Sequence, residues 1–155
     1  MTEFRESSVT DATAHALLSE YFDDRAATFP SAMGAYRTTF PRPEDFERPS
    51  GVFLVIEPGI GCGGVRRIDS SAGTSRFEVK HLWVQPTVRG EGLGRELLRE
   101  LELRARSLGA TELVLDTNAS LEAAGGLYRA EGFAETEPYN DNPNATHWYR
   151  KGLSP

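Results

Sequence analysis

The sequence predicts an α+β fold built on a largely antiparallel sheet, and three stretches carry that expectation. Residues 51–84 hold three strand-like runs separated by turn signals. Residues 92–108 show the clearest helical stripe in the chain. Between them a turn with glycines at 90, 92 and 94 joins a strong strand to a strong helix.

Taken in order, residues 2–8 are weakly strand-like. From Thr10 or Asp11, either of which suits an N-cap, Leu17, Leu18, Tyr21, Phe22 and Arg25 recur at helical spacing. That helix should stop near Phe29-Pro30. Four prolines, at 30, 41, 43 and 49, mark residues 30–50 as an ordered loop with one helical turn at 43–47. Gly51–Glu57 reads as a buried strand, Gly61–Ile68 as a second, Asp69–Gly73 as a turn and Phe77–Val84 as a third strand, forming an antiparallel meander. Leu93, Leu97, Leu101, Ala105 and Leu108 share one face of the next helix, and Gly109 suits its C-terminal cap. Glu112–Asp116 is a strand. Ser120–Glu131 is a helix that Ser120 can cap and Gly132 ends. Phe133–Thr136 and His147–Lys151 are the last strands, joined by a polar loop.

The 155 residues suit one domain, with no internal repeat or linker between 1 and 155. A chain of this length buries roughly 70% of its unfolded surface, so folding requires neither disulfide nor metal. Cys62 is the single cysteine; between Gly61 and Gly63 it reads as a small residue of a tight strand rather than a reactive thiol. The net charge of −6 argues against a general nucleic-acid binder and is compatible with a cationic partner. No apolar run approaches the ~20 residues of a membrane span, and Met1–Thr10 has no secretory pattern. A soluble cytoplasmic protein is the expectation, with no metal site and no membrane partner.

The turn Arg89-Gly90-Glu91-Gly92-Leu93-Gly94 is the most informative segment. Glycines at alternate positions let successive N–H groups converge on an anion, and the helix N-terminus adds partial positive charge. Three readings compete. A P-loop needs Lys-Ser/Thr after its last glycine, and Arg95-Glu96 stands there. A dinucleotide turn needs a third small residue where Arg95 lies, inside a parallel βαβ unit. The third is the pyrophosphate turn Q/R-x-x-G-x-G/A, met by Arg89, Gly92 and Gly94.

Residues 78–97 (EVKHLWVQPTVRGEGLGREL), Asn118 and the segment LYRAEGF with Leu127, Tyr128, Gly132 and Phe133 resemble the GNAT acyltransferases. The order of elements fits from about residue 2 to 152. The resemblance implies a mixed, mostly antiparallel sheet flanked by helices and splayed between the strand ending at Val84 and that at 113–117. Acetyl-CoA would lie in this opening. Leu82, Trp83 and Val84 would meet its pantetheine and acetyl carbonyl, and Arg89, Gly90, Glu91, Gly92, Leu93, Gly94 and Arg95 its pyrophosphate. Asn118 and Tyr128 would also contact it. A dimer is the family's default. Gly125-Gly126 departs from the usual pattern and costs up to ~2 kcal/mol of helix propensity.

Acetyl transfer to an amine needs a base for the ammonium proton, because an alkyl amine with a pKa near ~10.4 is mostly charged at neutral pH. It also needs an oxyanion donor, for which a backbone N–H near Val84 is suited, and an acid for the departing thiolate. The resemblance suggests Glu78 as base, with His81 competing and an ion pair to Lys80 or Arg66 as its non-catalytic alternative. Strict alternation groups Glu78, Lys80, Leu82 and Val84 on one face and Val79, His81 and Trp83 on the other; a bulge would shift that parity. Tyr128 is the expected acid, a core aromatic its alternative. The acceptor should enter between the first helix and the loops at 30–50 and 137–146. There Glu20, Asp23 and Asp24 are candidates for attracting a cationic amine, and Tyr139 and Asn140 for positioning it. A small-molecule amine leads as acceptor. A protein lysine or N-terminus, a non-catalytic acyl-CoA sensor and a nucleotide-binding module are the alternatives.

Overall fold

The computed structural model describes residues 1–71 and 73–154. Asp11 starts the first helix by accepting from the N–H groups of Thr13 and Ala14 at 3.1 and 3.4 Å. From the N-terminus the elements are β1 (Phe4–Glu6), α1 (Ala12–Thr28), β2 (Gly51–Ile56), β3 (Gly61–Ser71), β4 (Thr74–Val84), α2 (Leu93–Ser107), β5 (Glu112–Thr117), α3 (Glu122–Ala130), β6 (Ala134–Glu135) and β7 (His147–Gly152). Single 3₁₀ turns at Ser31–Met33 and Pro43–Phe46 punctuate the long loop.

The sheet runs in the order β1-β2-β3-β4-β5-β7-β6, and every neighbour is antiparallel except β4 and β5. The α+β fold and its mostly antiparallel, splayed sheet are as the sequence predicts. β3 extends to Ser71 instead of ending near Ile68, because it stays paired with β4 as far as Ser71–Thr74. The turn expected over Asp69–Gly73 includes Ala72, which lies outside the described residues. Helix α3 begins at Glu122 without a side-chain cap, so Ser120 does not cap it. The Asn118 carboxamide oxygen takes the Ser120 N–H at 3.0 Å and delays the helix start. The helix nevertheless runs through Gly125-Gly126.

Helices cover both faces of the sheet. Leu97, Leu98, Leu101 and Ala105 of α2, with Tyr128 of α3, pack on Val52, Leu54, Val65, Val79 and Val84. Leu17, Leu18 and Phe22 of α1 pack on the other face, against Phe53, Val55, Cys62 and Trp83. Cys62 is buried, and desolvation pushes its thiol well above the ordinary range, which fits an inert core residue.

Two irregularities of β4 open the sheet and turn its side chains. β4 pairs with β5 only from Arg76–Glu112 to Glu78–Val114; from Val79 to Val84 it leaves β5 behind and the sheet splays. Within that stretch the β3 register jumps: Lys80 faces Gly64 and Trp83 faces Cys62, so His81 and Leu82 share the place opposite Gly63. His81 takes a φ of 58°, in the left-handed region. Strict alternation therefore fails at this bulge. His81 and Trp83 join Glu78 and Lys80 on the α1 face, and Leu82 and Val84 join Val79 on the α2 face.

Candidate active site

The opening between β4 and β5 leads into a cleft of about 1090 Å³. At its mouth stands the turn after β4. Gly90 and Gly92 have φ of 87° and 81°, and a Cβ at either would meet no atom within 4 Å. Gly92 caps α2 without a side chain, and the helix's first internal acceptor bond there is Glu96 N–H to Gly92 O. The first-turn amides of Leu93, Gly94 and Arg95 are thus left for another acceptor, at the positive end of the helix. Gly90, Gly92, Leu93, Gly94 and Arg95 all line the cleft; Glu91 is exposed and does not. This arrangement fits a pyrophosphate.

Arg89 also lines the cleft, but its side chain turns back on the strand end. Its Nε donates to Val84 O at 2.9 Å and its Nη2 reaches Asp24 Oδ2 at 3.3 Å. Asp24 also accepts from Trp83 Nε1 at 3.0 Å, so this carboxylate is used to anchor the turn. Glu20 accepts from Gln85 Nε2, and Asp23 is exposed away from the cleft wall. Of the three acidic residues of α1, Asp24 lines the cleft and Glu20 and Asp23 do not.

Deeper in, Leu82, Trp83 and Val84 form one wall and Tyr128 the other. Tyr128 is 7% exposed and packs beside Phe133 and Tyr149, and no side chain among the described residues hydrogen-bonds its hydroxyl. Burial, with the Asp116 charge next in weight, pushes its pKa up to about 12, so it stays protonated.

Glu78 is 1% exposed and is not part of the cleft wall. Its Oε1 accepts from Arg66 Nε and Nη2 at 3.1 and 2.9 Å, and its Oε2 accepts from the Tyr139 hydroxyl at 2.6 Å. Lys80 Nζ lies 3.5 Å away. Both oxygens thus have partners, the arrangement of the ion-pair alternative. Burial, together with the Glu78 and Asp116 charges, holds the Tyr139 hydroxyl far above its ordinary pKa. Asn140 donates to Asp116 at 2.8 Å and accepts from Trp148 Nε1, which places it on the cleft wall; Tyr139 is behind that wall, against Glu78.

His81 lies on the wall among Tyr21, Phe22 and Phe46, with Nδ1 buried and unpaired. Desolvation first, then the Lys80 and Arg66 charges, lowers its pKa to about 3. It is therefore neutral, and a weak proton acceptor, near pH 7. Asn118 is buried and does not line the cleft; its amide donates to Asn144 O at 3.1 Å and ties two loops together.

The sequence reading missed Asp116 and Arg25 as site residues. Asp116 lines the cleft between Lys80 and Asn140. Burial alone would raise its pKa, but Lys80 and the amides of Asn140 and Asn142 outweigh that and keep it below the usual range. Arg25 was visible as a charge in the apolar stripe of α1, a position where a charge demands a reason. Among the described residues no group of His, Cys, Asp and Glu could hold a metal, and no helix is long and apolar enough to cross a membrane.

Comparison with known proteins places this geometry. An "IAA acetyltransferase" of Azospirillum brasilense is 41% identical over 95 residues, 59% of this chain and 60% of that protein. An aminoglycoside N(6')-acetyltransferase type 1 of Stenotrophomonas maltophilia is 38% identical over 82 residues, 50% of this chain and 54% of that one. Both matches thus span less than two thirds of the relative's length. The crystal structure of a protein described as a "putative acyl-CoA N-acyltransferase", from Klebsiella pneumoniae, superposes with a TM-score of 0.74 at 27% identity, covering 99% of both chains. The family model described as "Acetyltransferase (GNAT) family" matches residues 14–133, and the chain belongs to that family.

Proposed function

We propose that the chain transfers the acetyl group of acetyl-CoA to the primary amine of a small molecule by direct attack. The observation that carries this reading is a continuous path. An anion cradle at Gly90–Arg95 opens onto the unpaired β4 edge from Val79 to Val84, and that edge leads to the free Tyr128 hydroxyl. Amides of the cradle hold the pyrophosphate, and the β4 edge offers backbone groups to the pantetheine and the acetyl carbonyl. The cofactor supplies an activated thioester. Tyr128 keeps its proton until negative charge develops on the departing sulfur, then donates to it.

The acceptor end favours a small molecule over a polypeptide. Asn144 exchanges hydrogen bonds with the Arg37 backbone at 3.0 and 2.8 Å, which stitches the loop at 137–146 to that at 30–50 across this end. The names of the two relatives, one an IAA and one an aminoglycoside acetyltransferase, lend support to the same class of acceptor. Incubation with acetyl-CoA and a panel of small amines and lysine peptides, with thiol release as the readout, tests this. Turnover confined to peptides would replace the acceptor class, and no turnover with any amine would remove the enzymatic reading.

Neither sequence candidate is poised to take the proton of the attacking amine, and Lys80 and the Asn140 and Asn142 amides keep the Asp116 carboxylate on the wall a weak acceptor. Glu78 is locked behind that wall and His81 is nearly non-basic. We therefore assign the reaction to the neutral amine fraction, with water in the cleft taking the proton. kcat/KM should then rise about tenfold per pH unit toward the amine's own pKa near ~10. Glu78→Gln should leave that slope intact and instead lower stability by about 1–3 kcal/mol, because it removes the anion that Arg66 and Lys80 share. Denaturant titration and a pH–rate series on one preparation read both effects. Loss of the acidic limb in Glu78→Gln at unchanged stability would restore the glutamate as base.

A further inference from the structure

Arg25 occupies a place in the α1 stripe where an apolar side chain is expected. It is 8% exposed, no carboxylate pairs with it among the described residues, and its Nη1 is buried without a hydrogen-bond partner. Arg66 and Lys80, cations of the same cleft, are both answered, by Asp45 and Glu78 and by Glu78 and Asp116. Burying a guanidinium that no anion faces is costly. The C-terminal end of α1 and the Tyr36 ring, 5.1 Å from the guanidinium carbon, offset only part of that cost. The position makes physical sense when an anion arrives through the cleft that Arg25 lines.

The surroundings say what kind of anion. Tyr21, Phe22, Tyr36 and Phe40 line the same end of the cleft, and the Phe22 ring stands 4.9 Å from Phe40 and 6.4 Å from Tyr36. The cradle for the cofactor's pyrophosphate belongs to α2, which covers the opposite face of the sheet from α1. We infer that the acceptor is an amino carboxylate with an aromatic or comparably apolar side chain: Arg25 holds its carboxylate, the aromatic rings hold its side chain, and its amine is presented toward Tyr128. This rests on the acetyltransferase reading above and narrows the acceptor from any amine to a zwitterion.

The chemistry of the anion has two sources, an acceptor carboxylate or a cofactor phosphate, and the experiment separates them. Wild type, Arg25→Met and Arg25→Lys are titrated calorimetrically with phenylalanine, tyrosine and tryptophan, with their decarboxylated amines, and with CoA. Thiol release is followed in parallel with acetyl-CoA. Wild type should favour at least one amino acid over its amine by tenfold or more in kcat/KM. Arg25→Met should lose about 10²-fold with that amino acid, keep its rate with the amine and keep its CoA affinity, and Arg25→Lys should recover part of the loss. Equal use of acid and amine by wild type overturns the inference, as does a weakened CoA affinity in Arg25→Met, which would assign the anion to the cofactor. Amino-acid binding that depends on Arg25 without any thiol release would sustain the carboxylate site while refuting the transferase reading.

Discussion

Gly92→Asp should abolish CoA binding in a protein that still folds. The substituted Cβ enters open space, so packing is not disturbed. The φ of 81° carries a left-handed penalty of roughly 1–2 kcal/mol for most side chains, and Asp is among those that tolerate it best. The ligand meets a different situation. The carboxylate competes for the first-turn amides of α2 and stands where the pyrophosphate must lie. Two like-charge contacts at about 5 Å and an effective dielectric of about 20 cost about 3 kcal/mol each, together more than ~10⁴-fold in Kd. Calorimetric titration with CoA, beside a thermal melt, reads affinity and folding separately. A wild-type Kd in the folded variant would show that the turn has only a structural role.

Tyr128→Phe should lower turnover by roughly 10²-fold or more while acetyl-CoA still binds. The ring keeps its contacts with Phe133 and Tyr149, at 6.0 and 6.1 Å between centroids, and the hydroxyl that is lost has no side-chain partner among the described residues. Stability should therefore hold or rise slightly, since no hydrogen bond is broken. A loss of activity at unchanged melting temperature separates the acid from a core aromatic. Single-turnover rates settle the matter: if chemistry limits and the rate is unaltered, the hydroxyl carries no proton.

The backbone of the site was legible because its signals are local. Glycines at alternate positions before an amphipathic stripe specify a turn and a helix N-terminus within one short stretch, and the apolar runs at 51–56 and 112–117 specify strands by composition. Side-chain roles were less legible because they depend on distant partners. Glu78 looks the same in sequence whether it faces a substrate or Arg66 and Tyr139, and Tyr139 lies on a loop far along the chain. Asp24 could not be known to serve Trp83 and Arg89 before the end of α1 was placed beside the end of β4. The bulge at His81 has no local sequence mark, so alternation placed His81, Trp83, Leu82 and Val84 on the wrong faces. Gly63, the single residue opposite the doubled position, was the available hint.

That bulge adds one surplus residue to the wall of the cleft. β4 keeps its hydrogen bonds to β3 on both sides of His81, yet its direction and its facing change there, and its pairing with β5 has already ceased at Glu78. A chain shortened by one residue at 81 would recover unbroken alternation, with Leu82 opposite Gly63, Trp83 still toward α1 and Val84 still toward α2. Both cores would keep their contents, and the loss would fall on the cleft alone, which would no longer carry the His81 ring. A chain that kept the residue but flattened the bulge would instead exchange Trp83 and Val84 between the two cores. The surplus residue thus admits one additional side chain to the cleft without disturbing either core.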